Sequence, residues 1–271
     1  MQIISNDDIE FQCLLDMISH KLGFDFREYR QTTLKRRLSR RMHARGAETY
    51  ANYALILDGD PMEYNRFLND FLINVTRFFR DEASFRALEE VVVPALISKA
   101  QKSIRVWCAG CSTGQESYSI AILLLNLLKL DHDLFDIRIL ATDIDAKALE
   151  QARQGFFTPK EVEDIPPAWL ERYFVFENKG FQLKQEIREL VSFEIHNLIK
   201  DPYYYDMDLI VCRNVVIYFT SSFKERVLNG FNNVLKKGGF LLLGKTEVPM
   251  GKAKGLFQCV DIKSKLYQKM G

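Results

Sequence analysis

The sequence predicts an α/β fold: a doubly wound sheet carrying a small inserted β subdomain, preceded by an all-α N-terminal domain. Three observations carry this reading. Over the first 75 or so residues, apolar side chains recur at helical spacing. From residue 84, short apolar runs of strand length alternate with helical stretches, the pattern of a parallel sheet covered by helices on both faces. Around Asn178-Lys179-Gly180 the alternation breaks into short segments, which places an inserted β element at about 170–190. The domains are accordingly 1–75 and 76–271.

In chain order, Ile9 to Leu22 sets Ile9, Leu14, Leu15, Ile18 and Leu22 on one helical stripe, closed by Gly23. Thr32 or Thr33 is the expected cap of a second helix, in which Leu34, Leu38 and Met42 recur every fourth residue before Gly46. Further helices are expected at Thr49 to Leu57 and at Met62 to Phe71, the latter introduced by Asp60-Pro61. Ser84 to Ala100 reads as a helix that kinks or splits at Pro94. The strand Ile104 to Cys108 leads into a small-residue loop, Ala109 to Gly114, and then an apolar helix from Glu116 to Leu128. Next come a strand from Ile137 to Thr142, ending in Asp143, and a helix from Lys147 to Gln154 closed by Gly155. Leu190 to Ile195 and Asp208 to Cys212 are two further strands. The helix Ser222 to Leu235 follows, and a Gly238-Gly239 turn feeds the strand Phe240 to Leu243. Gln258 to Asp261 and Lys265 to Tyr267 form a last strand pair.

Composition bounds the function. The 271 residues suffice for two domains and a sizeable core. With 47% hydrophobic and 27% charged residues the chain is of ordinary globular type, which excludes disorder as its main state. Thirty-seven basic against 36 acidic residues leave a net charge of +1, so no global field calls for nucleic acid or an anionic membrane. The first eight residues lack the basic-then-apolar order of a secretory signal. The longest apolar run, Ile120 to Leu125, is far short of the ~20 residues of a membrane helix. A cytoplasmic protein is expected. Five cysteines without a framework spacing read as free thiols.

The first chemical motif runs from Val106 to Ser119. Gly110 and Gly114 permit a tight turn and close backbone approach to a ligand, and the following helix offers unpaired N–H groups at its start. The loop is neither G-x-G-x-x-G nor a lysine-bearing phosphate loop, so the nucleotide class stays open, and a plain crossover turn is the alternative. Asp143 ends the next strand, where an acid can accept from both ribose hydroxyls of a nucleoside. It lies 33 residues after Gly110, against ~20 in the dinucleotide fingerprint. Asp145 reads as a helix cap. Glu116, in the first turn of the loop helix, is favoured there by the helix dipole alone. It would also suit a cationic ligand group, such as the amino end of S-adenosylmethionine.

Cys108-x-x-Cys111 has no partner pair and no nearby His at ligand spacing, so no metal site is expected. Asp201-Pro202-Tyr203-Tyr204 resembles the Asp-Pro-Pro-Tyr site of amino-group DNA methyltransferases, but precedes the strand it should follow. Arg27 to Arg45 holds eight cations against Glu28, a local +7. Within it Arg37, Arg41 and Arg45 step by four along one face beside Arg36 and Arg40. Either this is a solvated face or it docks an acidic partner.

Four motifs together are specific: Asn74-Val75-Thr76-Arg77-Phe78-Phe79-Arg80, then Ala109 to Ser119, then Ala141-Thr142-Asp143-Ile144-Asp145, then Cys212-Arg213-Asn214-Val215-Val216-Ile217-Tyr218-Phe219. In this order, across nearly the whole chain, they resemble the chemotaxis receptor methyltransferases, the CheR family. The resemblance implies S-adenosylmethionine as donor, S-adenosylhomocysteine as product, and a methyltransferase sheet. It also implies methylation of glutamate side chains on the cytoplasmic helical bundle of chemoreceptors, for sensory adaptation. By motif, Asn74, Thr76, Arg80, Gly110, Glu116, Asp143, Asn197, Leu198, Arg213 and Asn214 are implied cofactor contacts, with Asn197 and Leu198 on the adenine side. Arg80 and Tyr218 are implied to orient the substrate carboxylate. The basic face of Arg36, Arg37, Arg40, Arg41 and Arg45 is implied to dock the receptor. Ser117 stands where many members have Pro. The inserted β element is short, with only Gly180, so tethering to a receptor pentapeptide is not expected. A monomer without nucleic-acid binding is expected.

A glutamate side chain with a pKa near ~4.3 is already ionised at pH 7 and already nucleophilic. No general base is required, and positioning is the main task. The rival readings are a nucleic-acid methyltransferase, which predicts steeply salt-dependent binding, and a non-catalytic cofactor-binding regulator. A nicotinamide dehydrogenase fails on the glycine pattern.

Overall fold

A computed structural model describes residues 6–72, 74–98, 102–128 and 134–271, which fall into two compact units. The expected helix end at Ala100 and most of the Lys129 to Asp136 loop lie outside the described residues.

The first unit comprises four helices, α1 (Asn6–Leu22), α2 (Gln31–Ala44), α3 (Tyr50–Gly59) and α4 (Met62–Phe71), together with Tyr218–Thr220. Its core forms because Leu14, Leu15 and Ile18 of α1 and Leu34, Leu38 and Met42 of α2 are all buried, as their spacing predicts. Ile9 corrects the stripe: it is 50% exposed, and Phe11 takes the inward position. The α2 cap is also corrected. The cap position is Arg30, with no side-chain hydrogen bond, whereas Thr49 does cap α3 by accepting from the Asn52 N–H. An aromatic cluster of Phe24, Phe26, Tyr29, Phe67 and Phe71 is joined by Phe219.

Part of the predicted docking face is bonded within the unit. Glu63 is completely buried and accepts from both Arg41 Nε and Nη2, from the Tyr53 hydroxyl at 3.0 Å and from Arg66 Nη1 at 3.4 Å. Arg41 is therefore a structural counter-ion, and its side chain is only 14% exposed. Arg37 donates to the Asp70 carbonyl, and Arg45 pairs with Asp60 and Glu63. Arg36, Arg40 and Arg45 remain exposed.

The second unit holds Asn74–Ile217 and Ser221–Gly271. Its seven-stranded sheet is built from β1 (Ser103–Ala109), β2 (Asp136–Asp143), β6 (Val191–Ile195), β7 (Met207–Cys212), β8 (Leu235–Leu243), β9 (Phe257–Asp261) and β10 (Leu266–Lys269), in the order β6-β2-β1-β7-β8-β10-β9. The first five neighbours are parallel, and β10 and β9 add an antiparallel edge. Helices α7 (Gln115–Leu128) and α8 (Ala146–Gln154) pack by β2 and β6, and α11 (Ser221–Val234) packs on β8. The Gly238-Gly239 pair lies inside β8, beside a shift in its pairing with β7, rather than in a turn ahead of the strand. The helix expected over Ser84 to Ala100 divides into α5 (Glu82–Ala87), a π turn (Leu88–Val92) and α6 (Val93–Ile97). Pro94 lacks an N–H and its ring crowds the carbonyl four residues back, so the ladder widens just before it.

The inserted element is a three-stranded antiparallel sheet, β3-β5-β4. It recruits β3 (Phe156–Phe157), from ahead of the expected span, to β4 (Phe174–Glu177) and β5 (Gly180–Leu183). The helices α9 (Pro167–Tyr173) and α10 (Gln185–Arg188) flank it in sequence.

Candidate functional site

In the main sheet β1 lies between β2 and β7, so strand order reverses there and the loops after β1 and β7 diverge. Gly110 opens the first loop at φ +81°, where a Cβ would lie 2.4 Å from Val215 Cγ2. Gly114 ends it at φ +90°, where a Cβ would lie 3.0 Å from Ala152 Cβ and 3.2 Å from the Phe193 ring. Both glycines are thus required by backbone and by space.

Asp143 ties this loop to the end of β2. Its Oδ2 accepts the Ser112 N–H at 2.7 Å and its Oδ1 the Asp145 N–H at 3.0 Å. Burial pushes its carboxyl up, against the pull of those N–H donors. Each oxygen keeps acceptor capacity, as a ribose diol requires. Asp145 caps α8, accepting from the Lys147 and Ala148 N–H groups, and its other oxygen accepts from Asn74 Nδ2 at 2.7 Å. Asn74 Oδ1 in turn accepts from the Ser112 hydroxyl at 3.3 Å. Asn74 therefore ties the start of the second unit to the glycine loop. Thr76 is partly exposed close behind it.

Two expected cofactor residues turn out to be partners. Arg213 Nη1 donates to Glu116 Oε2 at 2.7 Å, and Nη2 donates to Asp81. The Arg213 side chain is 1% exposed, and its Nε has no hydrogen-bond partner. The buried Asn214 Oδ1 is likewise unpaired. Burial pushes the Glu116 carboxyl up, and Arg213 and Arg80 only partly restore it. Arg80 donates from Nη1 to the Val75 carbonyl at 2.8 Å. Buried polar atoms without partners are rare and call for an explanation. Among the described residues seven such side-chain atoms occur, and two on adjacent residues, Arg213 Nε and Asn214 Oδ1, sit on the loop that faces the strand reversal. Phe79, Asp81, Ser112 and Asn214 all hold positive φ, and such strain concentrates where a site over-determines the backbone.

At the two residues implied to face the adenine, Asn197 Oδ1 accepts from Ile199 N–H at 2.9 Å, and Leu198 offers its carbonyl to the Tyr203 hydroxyl at 3.0 Å. Asp201 accepts from Asn197 N–H, and the Tyr203 and Tyr204 rings pack edge-on against Trp107. The Asp201-Pro202-Tyr203-Tyr204 segment thus braces this loop. Tyr218 belongs to the first unit, where its carbonyl accepts from the Arg30 N–H.

Asp81, Ser112 and Glu247 were not singled out by sequence. Glu247 is buried and accepts N–H groups of Gly244, Asn214 and Ile217. Apart from Gly244, their partners lie far off in the chain, so no spacing marks them. Burial pushes the Cys108 and Cys111 thiols up, away from reactivity. Among the described residues no group of three or more His, Cys, Asp or Glu side chains is gathered as a metal would need. No described helix is long and apolar enough to cross a membrane.

A mostly parallel sheet with a glycine turn after β1 and an acid closing β2 defines a nucleoside-cofactor-binding α/β unit. Comparison with known proteins narrows the class. Residues 74–266 match the CheR methyltransferase SAM-binding domain, and residues 9–72 match the CheR methyltransferase all-alpha domain. A chemotaxis protein methyltransferase of Listeria monocytogenes is 34% identical over 233 residues, covering 85% of this chain and 87% of that protein. One of Borreliella burgdorferi is 31% identical over 251 residues, covering 89% of each. An uncharacterized 104.1 kDa protein of Rhodobacter capsulatus is 35% identical over 236 residues, covering 86% of this chain; that match spans only 25% of the relative's length. The chain belongs to the CheR family of S-adenosylmethionine-dependent methyltransferases.

Proposed function

We propose that the chain transfers the methyl group of S-adenosylmethionine to glutamate side-chain carboxylates of chemoreceptors, forming glutamyl methyl esters for sensory adaptation. The observation that carries this is the buried Arg213 set, with its unpaired Nε and neighbouring Asn214 Oδ1, on the loop facing the glycine turn. These groups suit the charged methionine end of the donor. Glu116 would take its ammonium, Asp143 its ribose, and Asn197 with Leu198 its adenine edge. Asn74 and Thr76 would line the pocket from the start of the second unit.

When bound, the donor supplies a methyl group already activated by a sulfonium. The substrate carboxylate is ionised at neutral pH, so the chain has no proton to move. Its residues bind and align. A tight cationic clamp on the attacking oxygens would favour the ground state over a transition state in which charge is lost. Arg80, already committed to the Val75 carbonyl, suits the weaker task of orienting one oxygen. Tyr218 would do the same as a neutral donor.

Arg36, Arg40 and Arg45 form the reduced basic face for an acidic receptor bundle. The protein acts in the cytoplasm, as a monomer, without nucleic acid. The β4–β5 turn is only Asn178-Lys179, too short for a pentapeptide-gripping loop, so no tether is needed. The test is incubation with tritiated donor and receptor membranes. Base-labile release of tritiated methanol is expected; a base-stable label would sink the ester assignment. Arg36→Glu with Arg40→Glu should weaken receptor methylation while leaving S-adenosylhomocysteine binding intact.

A further inference from the structure

The loop that carries Arg213 and Asn214 hangs on one side chain far away in sequence. Glu247 follows β8 and is 3% exposed. Its Oε2 accepts the Gly244 N–H at 2.6 Å and the Asn214 N–H at 2.9 Å, and its Oε1 accepts the Ile217 N–H at 3.0 Å. Only the Gly244 bond belongs to the turn that contains Glu247. The other two reach across to the segment between β7 and Tyr218. Asn214 sits at φ +60°, a conformation that persists only where its surroundings enforce it. Gly244 clears the space, since a Cβ there would lie 2.5 Å from Glu247 Oε2 and 2.7 Å from Asn214 N. On the opposite side Val215 fills the room left by Gly110.

We infer that Glu247 is a positioning residue for methyl transfer: its carboxylate fixes the turn from Arg213 to Ile217, and so the placement of the Arg213 and Asn214 side chains. This rests on reading those two residues as cofactor contacts. The chemistry is specific to a carboxylate. Three converging N–H donors need acceptors on both oxygens, and a glutamine amide must turn its NH2 against at least one of them. The side chain touches no reacting atom; it acts through the loop.

The test uses the full chain and Glu247→Gln, with Asp261→Asn as control. Asp261 accepts two backbone N–H groups, of Lys263 and Ser264, in a remote turn, so its loss is a comparable structural insult. Three readouts are taken: amide exchange at Asn214 and Ile217, calorimetric S-adenosylhomocysteine affinity, and kcat against KM. In Glu247→Gln both amides should exchange faster. Affinity and kcat should fall on the order of 10- to 100-fold, while Asp261→Asn leaves both near wild type. Should Glu247→Gln fail to fold, Glu247→Asp keeps the charge on a shorter arm and should show the same losses in smaller measure. Wild-type affinity and kcat in a folded position-247 variant, or equal losses in the control, would overturn the inference. If the wild-type chain itself fails to bind S-adenosylhomocysteine, the reading of the cofactor site falls instead.

Discussion

Both units bury an arginine against carboxylates, and they do so to opposite ends. In the helical unit Glu63 is saturated: Arg41 binds both its oxygens, and Tyr53 and Arg66 add further donors. In the sheet unit Arg213 serves Glu116 and Asp81 but keeps an unpaired Nε, beside the unpaired Asn214 Oδ1. The carboxyl groups register the difference. Burial raises both, yet hydrogen bonds from Arg41 and Tyr53 leave Glu63 below the ordinary carboxylate range, whereas Glu116 stays above it. A satisfied network holds a core together, and an under-satisfied one is available to a ligand.

The contrast can be broken most forcefully at Glu63. Glu63→Gln takes the buried carboxylate from Arg41, Tyr53 and Arg66 and leaves Arg41 only its 3.3 Å pairing with Asp70, and it should destabilise the helical unit by ~1–3 kcal/mol. Amide exchange across α2 and α4 under increasing urea would measure it, and an unchanged midpoint would put the two networks in one class. Glu116→Gln should do the reverse. The loss of a charge-assisted bond should cost S-adenosylhomocysteine about ten- to a hundredfold in affinity, with little change in denaturation midpoint.

Acidification sharpens the same comparison. Glu63 has a depressed folded value, so its stabilisation is complete above the ordinary carboxylate range and is lost as pH falls through the depressed value. Glu116 and Asp143 are raised, so what they contribute to stability is full at low pH and is lost as pH rises through their folded values. Lowering the pH should therefore neutralise Glu116 and Asp143, the proposed cofactor contacts, first. Calorimetric affinity should drop above the pH at which α2 and α4 lose amide protection; simultaneous loss would contradict the assignment. The smallest effect concerns the thiols. Cys108, Cys111 and Cys212 are buried and raised, and Cys13 and Cys259 are exposed. A thiol reagent should therefore titrate two of the five quickly, one in each unit.

What sequence could reveal was what neighbours in the chain decide. The Leu34-Leu38-Met42 stripe, the bounds of α4, the Asp145 cap and the Gly155 stop all follow from local spacing, and the structure has each of them. Arg41 looked like its neighbours Arg36 and Arg40 because only the position of Glu63, on another helix, tells them apart. Asp81 and Glu247 were silent for the same reason: their partners Arg213 and Asn214 are 132 and 33 residues away. Glu116 and Arg213 were both identified, but their pairing was not, since a spacing of 97 residues carries no periodic signal. The π turn before Pro94 needed the whole helix to be seen.

Position 110 has no room for a methyl group, because a methyl of Val215 already occupies that place. Trimming Val215 would free the volume, but the left-handed backbone at Gly110 would still resist any side chain. Space and backbone conformation thus hold position 110 to glycine independently, so relieving one leaves the other in force.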